Sequence, residues 1–220
     1  MSSTILLVIE LILCLITTLV VYKKSKTEGI YTYTIILLIL SCIMSLKTVN
    51  VYDYDVNLGI IPFVMVFPVS NILIQKKGSE EIKTLILTLI SASVISYIMI
   101  FLISLMTSSN INLFTSASYD NIFNTSLRIY FANIVTMLYS LLLNSKLYYY
   151  LKTMKNNILI SNLFSTIIIQ FIASLLFTIV AYVFVKDAID IIKIIMVRYL
   201  ISLLVGLLGT IIIYISKYIK

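Results

Sequence analysis

The sequence predicts an all-α, polytopic integral membrane protein with about seven transmembrane helices, and three observations carry that expectation. Hydrophobic residues make up 61% of the 220-residue chain and charged residues 11%, more apolar surface than a soluble domain can hide behind so few charges. The mean hydropathy of +1.11 is concentrated in runs of roughly 20 residues, the length that spans a bilayer's hydrocarbon core. The runs also lack the period-2 alternation of a membrane β-barrel.

The expected spans are 4–22, 29–47, 57–75, 82–106, 127–150, 157–185 and 189–216. The first is read as a retained span and not a signal peptide, because its basic cluster follows the apolar run and no small-residue cleavage site is present. The sixth and seventh runs are long enough to tilt or protrude. No soluble domain or long linker interrupts the pattern, so a single membrane domain is expected over residues 1–220.

Charge sets the expected orientation. Lys23, Lys24, Lys26, Lys76, Lys77, Lys83, Lys152, Lys155, Lys217 and Lys220 fall in alternate loops and at the chain end. Asp53, Asp55, Asp120, Asp187 and Asp190 fall in the others, with Lys47, Lys186 and Lys193 nearby. By the positive-inside rule this places the N-terminus outside and the C-terminus in the cytoplasm, in a multi-pass plasma-membrane protein. The polar stretch 107–126 is then an outward loop.

Composition also excludes several functions. The formal charge of +7 comes from these topology-setting clusters and is no nucleic-acid footprint. With no histidine, and with Cys14 and Cys42 inside apolar runs, a metal site or disulfide lacks its ligands. No nucleophile–base pair and no phosphate-binding loop is visible, so neither an enzyme nor a cofactor is expected.

What remains is a set of polar groups inside the spans. Arg128, Asn133, Thr136, Ser140 and Asn144 recur at helical spacing in the fifth span. Asn162, Thr166, Gln170, Ser174 and Thr178 stand four apart in the sixth, and Arg198, Ser202, Gly206 and Gly209 mark the seventh. Such spacing lines one helix face. Small residues there also serve helix packing, but an amide carries donors and an acceptor that hydrocarbon leaves unmet. Asn71, Gln75, Asn144 and Gln170 are therefore candidates for facing a cavity or ligand. Arg198, several residues inside its span, requires a cavity, a partner or a snorkelling route to the surface. Pro62 and Pro68 predict an interrupted third span, of the kind that builds transporter sites, or a simple kink. Glu10 is the only acidic residue well inside a span; it is placed near the outer interface, and this scarcity of relays argues for facilitated movement over proton symport.

The order of motifs resembles the vitamin uptake transporter family, whose queuosine-precursor transporters are its best-known members. The family's Ala-Asn-Ile-Gln-Val-x-Lys-x-Val appears as SCIMSLKTV, keeping Ile43, Lys47 and Val49. Its Phe-Leu-x-Thr-Asp-Ile-Leu-x-Glu-x-Tyr-Gly appears as FPVSNILIQKKG, keeping Phe67, Ile72, Leu73 and Gly78. RIYFANIVTMLYSLLLN keeps Arg128, Ile129, Ala132 and Ser140, and NLFSTIIIQFIASLLFTIVA keeps Asn162, Ser165, Thr166, Gln170, Phe177 and Ala181. Family acids are replaced by Asn71, Gln75, Asn144 and Ala173, and Arg198 takes the place of a family lysine.

The resemblance implies alternating-access uptake of a small heterocyclic nutrient, similar to a 7-deazaguanine. Asn71, Gln75, Asn144 and Gln170 would be its hydrogen-bonding groups and Arg128 and Arg198 pocket-edge cations, with Lys47, Ser140 and Ser202 as further candidates. The expected partners are a small-molecule solute and the lipid bilayer, with a homo-oligomer or a membrane partner subunit left open. Loss of the family acids keeps a second reading alongside: a non-transporting substrate-capture subunit, scaffold or regulator.

Overall fold

The computed structural model describes residues 3–52, 54–78, 80–106, 113–155 and 157–219, and for residues 104 and 113–126 the backbone only. Six helices surround or form a bundle in the order α1 (Ser3–Met44), α2 (Ile60–Lys77), α3 (Glu81–Ser104), α4 (Leu113–Lys155), α5 (Ile158–Tyr182) and α6 (Ala188–Ser216). Between α1 and α2 lies an antiparallel hairpin of β1 (Thr48–Val51) and β2 (Tyr54–Asn57).

Six helices, not the expected seven, are long and apolar enough to cross a bilayer. The difference lies in α1, where the first two expected spans run together through a break at Lys26, at φ 49° and ψ −135°. The two arms turn back on each other there. Thr17 Oγ1 lies 2.6 Å from Tyr33 Oη, and Tyr33 Oη donates to the carbonyl of Cys14 at 3.2 Å. Sixteen residues of straight helix would hold the first pair about 24 Å apart.

Two other expectations are corrected. The 107–126 stretch is not a loop throughout, because α4 is already helical from Leu113; residues 107–112 lie outside those described. Nor is the third span broken. Pro62 sits in the first turn of α2, where its missing N–H has no helical partner to lose, and the helix runs on through Pro68. Gly78 closes it in the left-handed region at φ 94°.

α2 is the axis of the bundle. Every residue from Ile60 to Ile74 is buried. Its side chains share one core with Leu37 and Leu38 of α1, Leu85 and Leu89 of α3, Met137 and Leu141 of α4, Ile169 of α5 and Val205 of α6. The outer surfaces read the opposite way: Ile5, Leu6, Leu13, Leu87, Ile95, Leu200 and Leu204 are all more than half exposed. A continuous apolar exterior around a core containing amides is the pattern that lipid requires.

Close helix approach rests on glycine. A Cβ on Gly206 would stand 2.5 Å from Thr166 Cγ2, and one on Gly209 would stand 2.7 Å from Pro68 Cγ. These contacts seat α6 against both α5 and α2. Gly59 is tighter still, since its Cβ would meet the Ser41 carbonyl at 2.3 Å and the Ser45 backbone nitrogen at 2.8 Å. Backbone cannot rotate aside, so Gly59→Ala is expected to cost about 1–3 kcal/mol or more by overpacking. Thermal denaturation of the purified variant checks this, and an unchanged melting temperature would show that α1 can shift.

Candidate functional site

Asn57 shapes the approach to the site. Its Oδ1 accepts from the Gly59 backbone N–H at 2.9 Å and its Nδ2 donates to the Ser45 carbonyl at 2.8 Å. These two bonds tie the hairpin to the end of α1 and start α2 at Ile60. The C-terminal end of α5 and the N-terminal half of α6 close the other side.

Between them lies a cavity of about 440 Å³, within the range of small-molecule sites. Exposed Tyr54, Asp55, Lys186, Asp190 and Lys193 form its mouth. Ile60, Ile129, Phe177, Ile194, Val197 and Ile201 give apolar walls. Asp190, Ile194, Val197, Arg198 and Ile201 recur along one face of α6, so a single helix carries the lining from mouth to depth.

Arg198 is the charged group inside. It is 4% exposed, its Cζ lies 3.7 Å from the Phe177 ring centre and 5.0 Å from that of Phe63, and it lines the cavity. Neither Nη1 nor Nη2 has a hydrogen-bond partner, and no ion pair reaches it among the described residues. The acids of the mouth do not serve it: Asp190 is exposed and pairs with Lys193 at 3.8 Å.

Beneath Arg198 runs a column of polar side chains whose levels follow from the α5–α6 register. Asn162 meets Thr210 and Thr166 meets Gly206. Antiparallel steps of four residues then set Gln170 level with Ser202 and Ser174 level with Arg198. From α4 come Thr136 and Ser140, both buried, and Asn133, whose Nδ2 donates to Ser41 Oγ of α1 at 2.5 Å. Asn133 Oδ1, Thr136 Oγ1, Ser140 Oγ, Ser174 Oγ and both amide atoms of Gln170 lack a partner among the described residues. Buried polar groups in native proteins are seldom left so, and a cluster of them marks where water or a solute completes the bonding.

The column ends in a closed amide chain. Asn144 Nδ2 donates to Asn71 Oδ1 at 2.9 Å, Asn71 Nδ2 to Asn162 Oδ1 at 2.7 Å, and Asn162 Nδ2 to Thr210 Oγ1 at 2.7 Å. Thr210 Oγ1 passes on to the Gly206 carbonyl at 3.3 Å. Four helices, α4, α2, α5 and α6, are thereby stitched together below the open cavity.

The sequence candidates thus fall into three groups. Asn71 and Asn144 meet in the amide chain, with Asn162 and Thr210 as their partners. Ser140, Gln170 and Ser202 line the column, and Arg198 heads it. Arg128, Lys47 and Gln75 stand apart. Arg128 donates from Nε to the Val180 carbonyl at 3.0 Å and lies over the Phe184 ring. Lys47 is exposed outside the cavity lining, and Gln75 lies in the last turns of α2, its Oε1 buried without a partner. Sequence reasoning missed Tyr54 and Tyr182 as lining, Phe63 as a ring beside Arg198, and the hairpin that carries Tyr54. The alternating Val49, Val51, Tyr54 and Val56 were its visible signal.

A helical bundle with an apolar exterior, buried polar side chains and a cavity of small-molecule size between the hairpin and α6 defines the chain as a multi-pass membrane protein. Residues 57–216 match the family described as "Putative vitamin uptake transporter", and the chain belongs to that family. No curated protein and no solved structure matches it at a significant level.

Proposed function

We propose that the protein carries a small heterocyclic nutrient across the plasma membrane by alternating access, the solute entering the cavity above Arg198. The resemblance to queuosine-precursor transporters points to a planar, 7-deazaguanine-like body. The observation that carries the reading is the column of buried, unpartnered polar groups running from the cavity to the amide chain. An arrangement that only held helices together would pair those groups with one another, as the amide chain does. In this conformation the hairpin side is open and the amide chain closes the opposite side, so inward opening requires α2 and α5 to part.

The antiparallel arms of α1 supply the seventh crossing, giving an outside N-terminus and a cytoplasmic C-terminus. The exposed Lys23, Lys24, Lys76, Lys77, Lys155 and Lys217 then share the cytoplasmic face, and the cavity mouth faces outward. Reporter fusions at the two termini are expected to give opposite-side signals, and same-side signals would overturn the seven-crossing reading.

Uptake of labelled queuosine precursors and related purines, in cells without their own carrier, tests the function. Gln170→Leu removes two unpartnered amide atoms and orphans none. It is expected to cut uptake at least roughly tenfold, one charge-free hydrogen-bonding group's worth, without lowering the melting temperature. Retained solute binding with no uptake would instead identify a substrate-capture subunit.

A further inference from the structure

We infer that the solute is a monoanion, an aromatic or heterocyclic carboxylate whose charge is held by Arg198. This rests on the reading that the cavity is the solute site, and it adds the class of solute. The guanidinium is buried over the Phe177 ring in a residue that lines the cavity, and its two terminal nitrogens have no partner among the described residues. A charge removed from water needs a counter-charge, and among the described residues no carboxylate reaches it.

The geometry and the charge count narrow the anion. Stacking on a ring fixes the guanidinium plane, leaving its N–H edge as a fork that matches a carboxylate's two oxygens. The depth of the cavity holds this single cation. Lys186 and Lys193 are at the exposed mouth, where Asp55 and Asp190 offset them. One carboxylate therefore neutralises the floor, whereas a dianionic phosphate leaves an uncompensated charge beside apolar walls. Tyr54, Tyr182 and Phe177 together with Ile60, Ile194 and Ile201 suit a planar apolar body attached to that carboxylate. Positions below Arg198 reinforce the sign. The amide chain and the column contain amides and hydroxyls but no acid, so nothing repels an anion on its way down.

Titration calorimetry on the purified protein in nanodiscs tests this with matched probes: nicotinate against nicotinamide, benzoate against benzamide, and phenyl phosphate as the dianion. Each carboxylate is expected to bind roughly 10–100-fold tighter than its amide, the range of a charge-assisted pair over a neutral one. Arg198→Gln should remove that preference, and Arg198→Lys should restore part of it. Phenyl phosphate should bind more weakly than benzoate.

Equal binding of amides and carboxylates, or a carboxylate preference that survives Arg198→Gln, overturns the inference while leaving the cavity as the solute site. A tighter grip on phenyl phosphate overturns the carboxylate assignment. If no probe binds and queuosine precursors also fail to bind, the site reading falls with it. Both variants are compared at matched melting temperature by thermal denaturation, so loss of folding cannot pass for loss of binding.

Discussion

Replacing Arg198 by leucine is expected to raise the melting temperature of the ligand-free protein while abolishing anionic solute binding. Most substitutions of a buried residue do the opposite, so the sign is diagnostic. Against the substitution stands the loss of two ring contacts, to Phe63 and Phe177, worth about 0.5–2 kcal/mol between them. In its favour stands relief of a buried cation with two unpartnered nitrogens, about 1–3 kcal/mol for each orphaned group and more for a charged one. The second effect is larger. A net gain of about 1–3 kcal/mol follows, or about 2–12 °C at the 2–4 °C per kcal/mol of a chain this long. Thermal denaturation with and without benzoate reads both effects together. A variant that melts lower and still binds would make Arg198 a packing residue.

The second large effect is destabilising. Asn162→Leu is expected to cost about 2–4 kcal/mol, since it strips the middle of the amide chain and orphans buried groups on two helices at once. Asn71 Nδ2 loses its acceptor and Thr210 Oγ1 its donor. Asn144→Leu, at the end of the chain, orphans only Asn71 Oδ1 and should cost about half as much. This ordering, with the middle residue above the end residue and Gln170→Leu near zero, separates a bonded network from a set of independent polar contacts. Equal costs at all three positions would argue against the network.

How far the sequence reached can be told from these same residues. The four-residue spacing of Asn162, Thr166, Gln170 and Ser174 placed them on one face, and they are all buried. Spacing along one helix says nothing about the neighbour's register, however. That is why Asn71 and Asn144 looked like ligand-facing amides when they face each other, and why Thr210, their terminal partner, was passed over. The third span looked broken because Pro68 normally disrupts a helix; packing beside Gly209 holds it continuous. The break at Lys26 falls in the gap between the first two expected spans, 4–22 and 29–47, whereas the helix beginning at Leu113 was missed because the polar composition of 107–126 reads as loop.

The central position of α2 bears on how the protein enters the membrane. Among the six long helices α2 is, with α4, the least apolar, and it carries Ser70, Asn71, Gln75 and two prolines. In the finished bundle it touches protein along nearly its whole length, yet during synthesis it emerges before α4, α5 and α6 exist to cover it. Lone amides partition poorly into lipid, so the translocon would release α2 only as part of a group. The antiparallel arms of α1 come first and α3 follows directly, offering apolar escorts on both sides. Asn71 then waits for Asn144 and Asn162, residues made roughly 70–90 positions later, and the last helix completes the chain through Thr210. Assembly of the bundle therefore waits on α6, and chains truncated before it should be recognised by membrane quality control as unsealed.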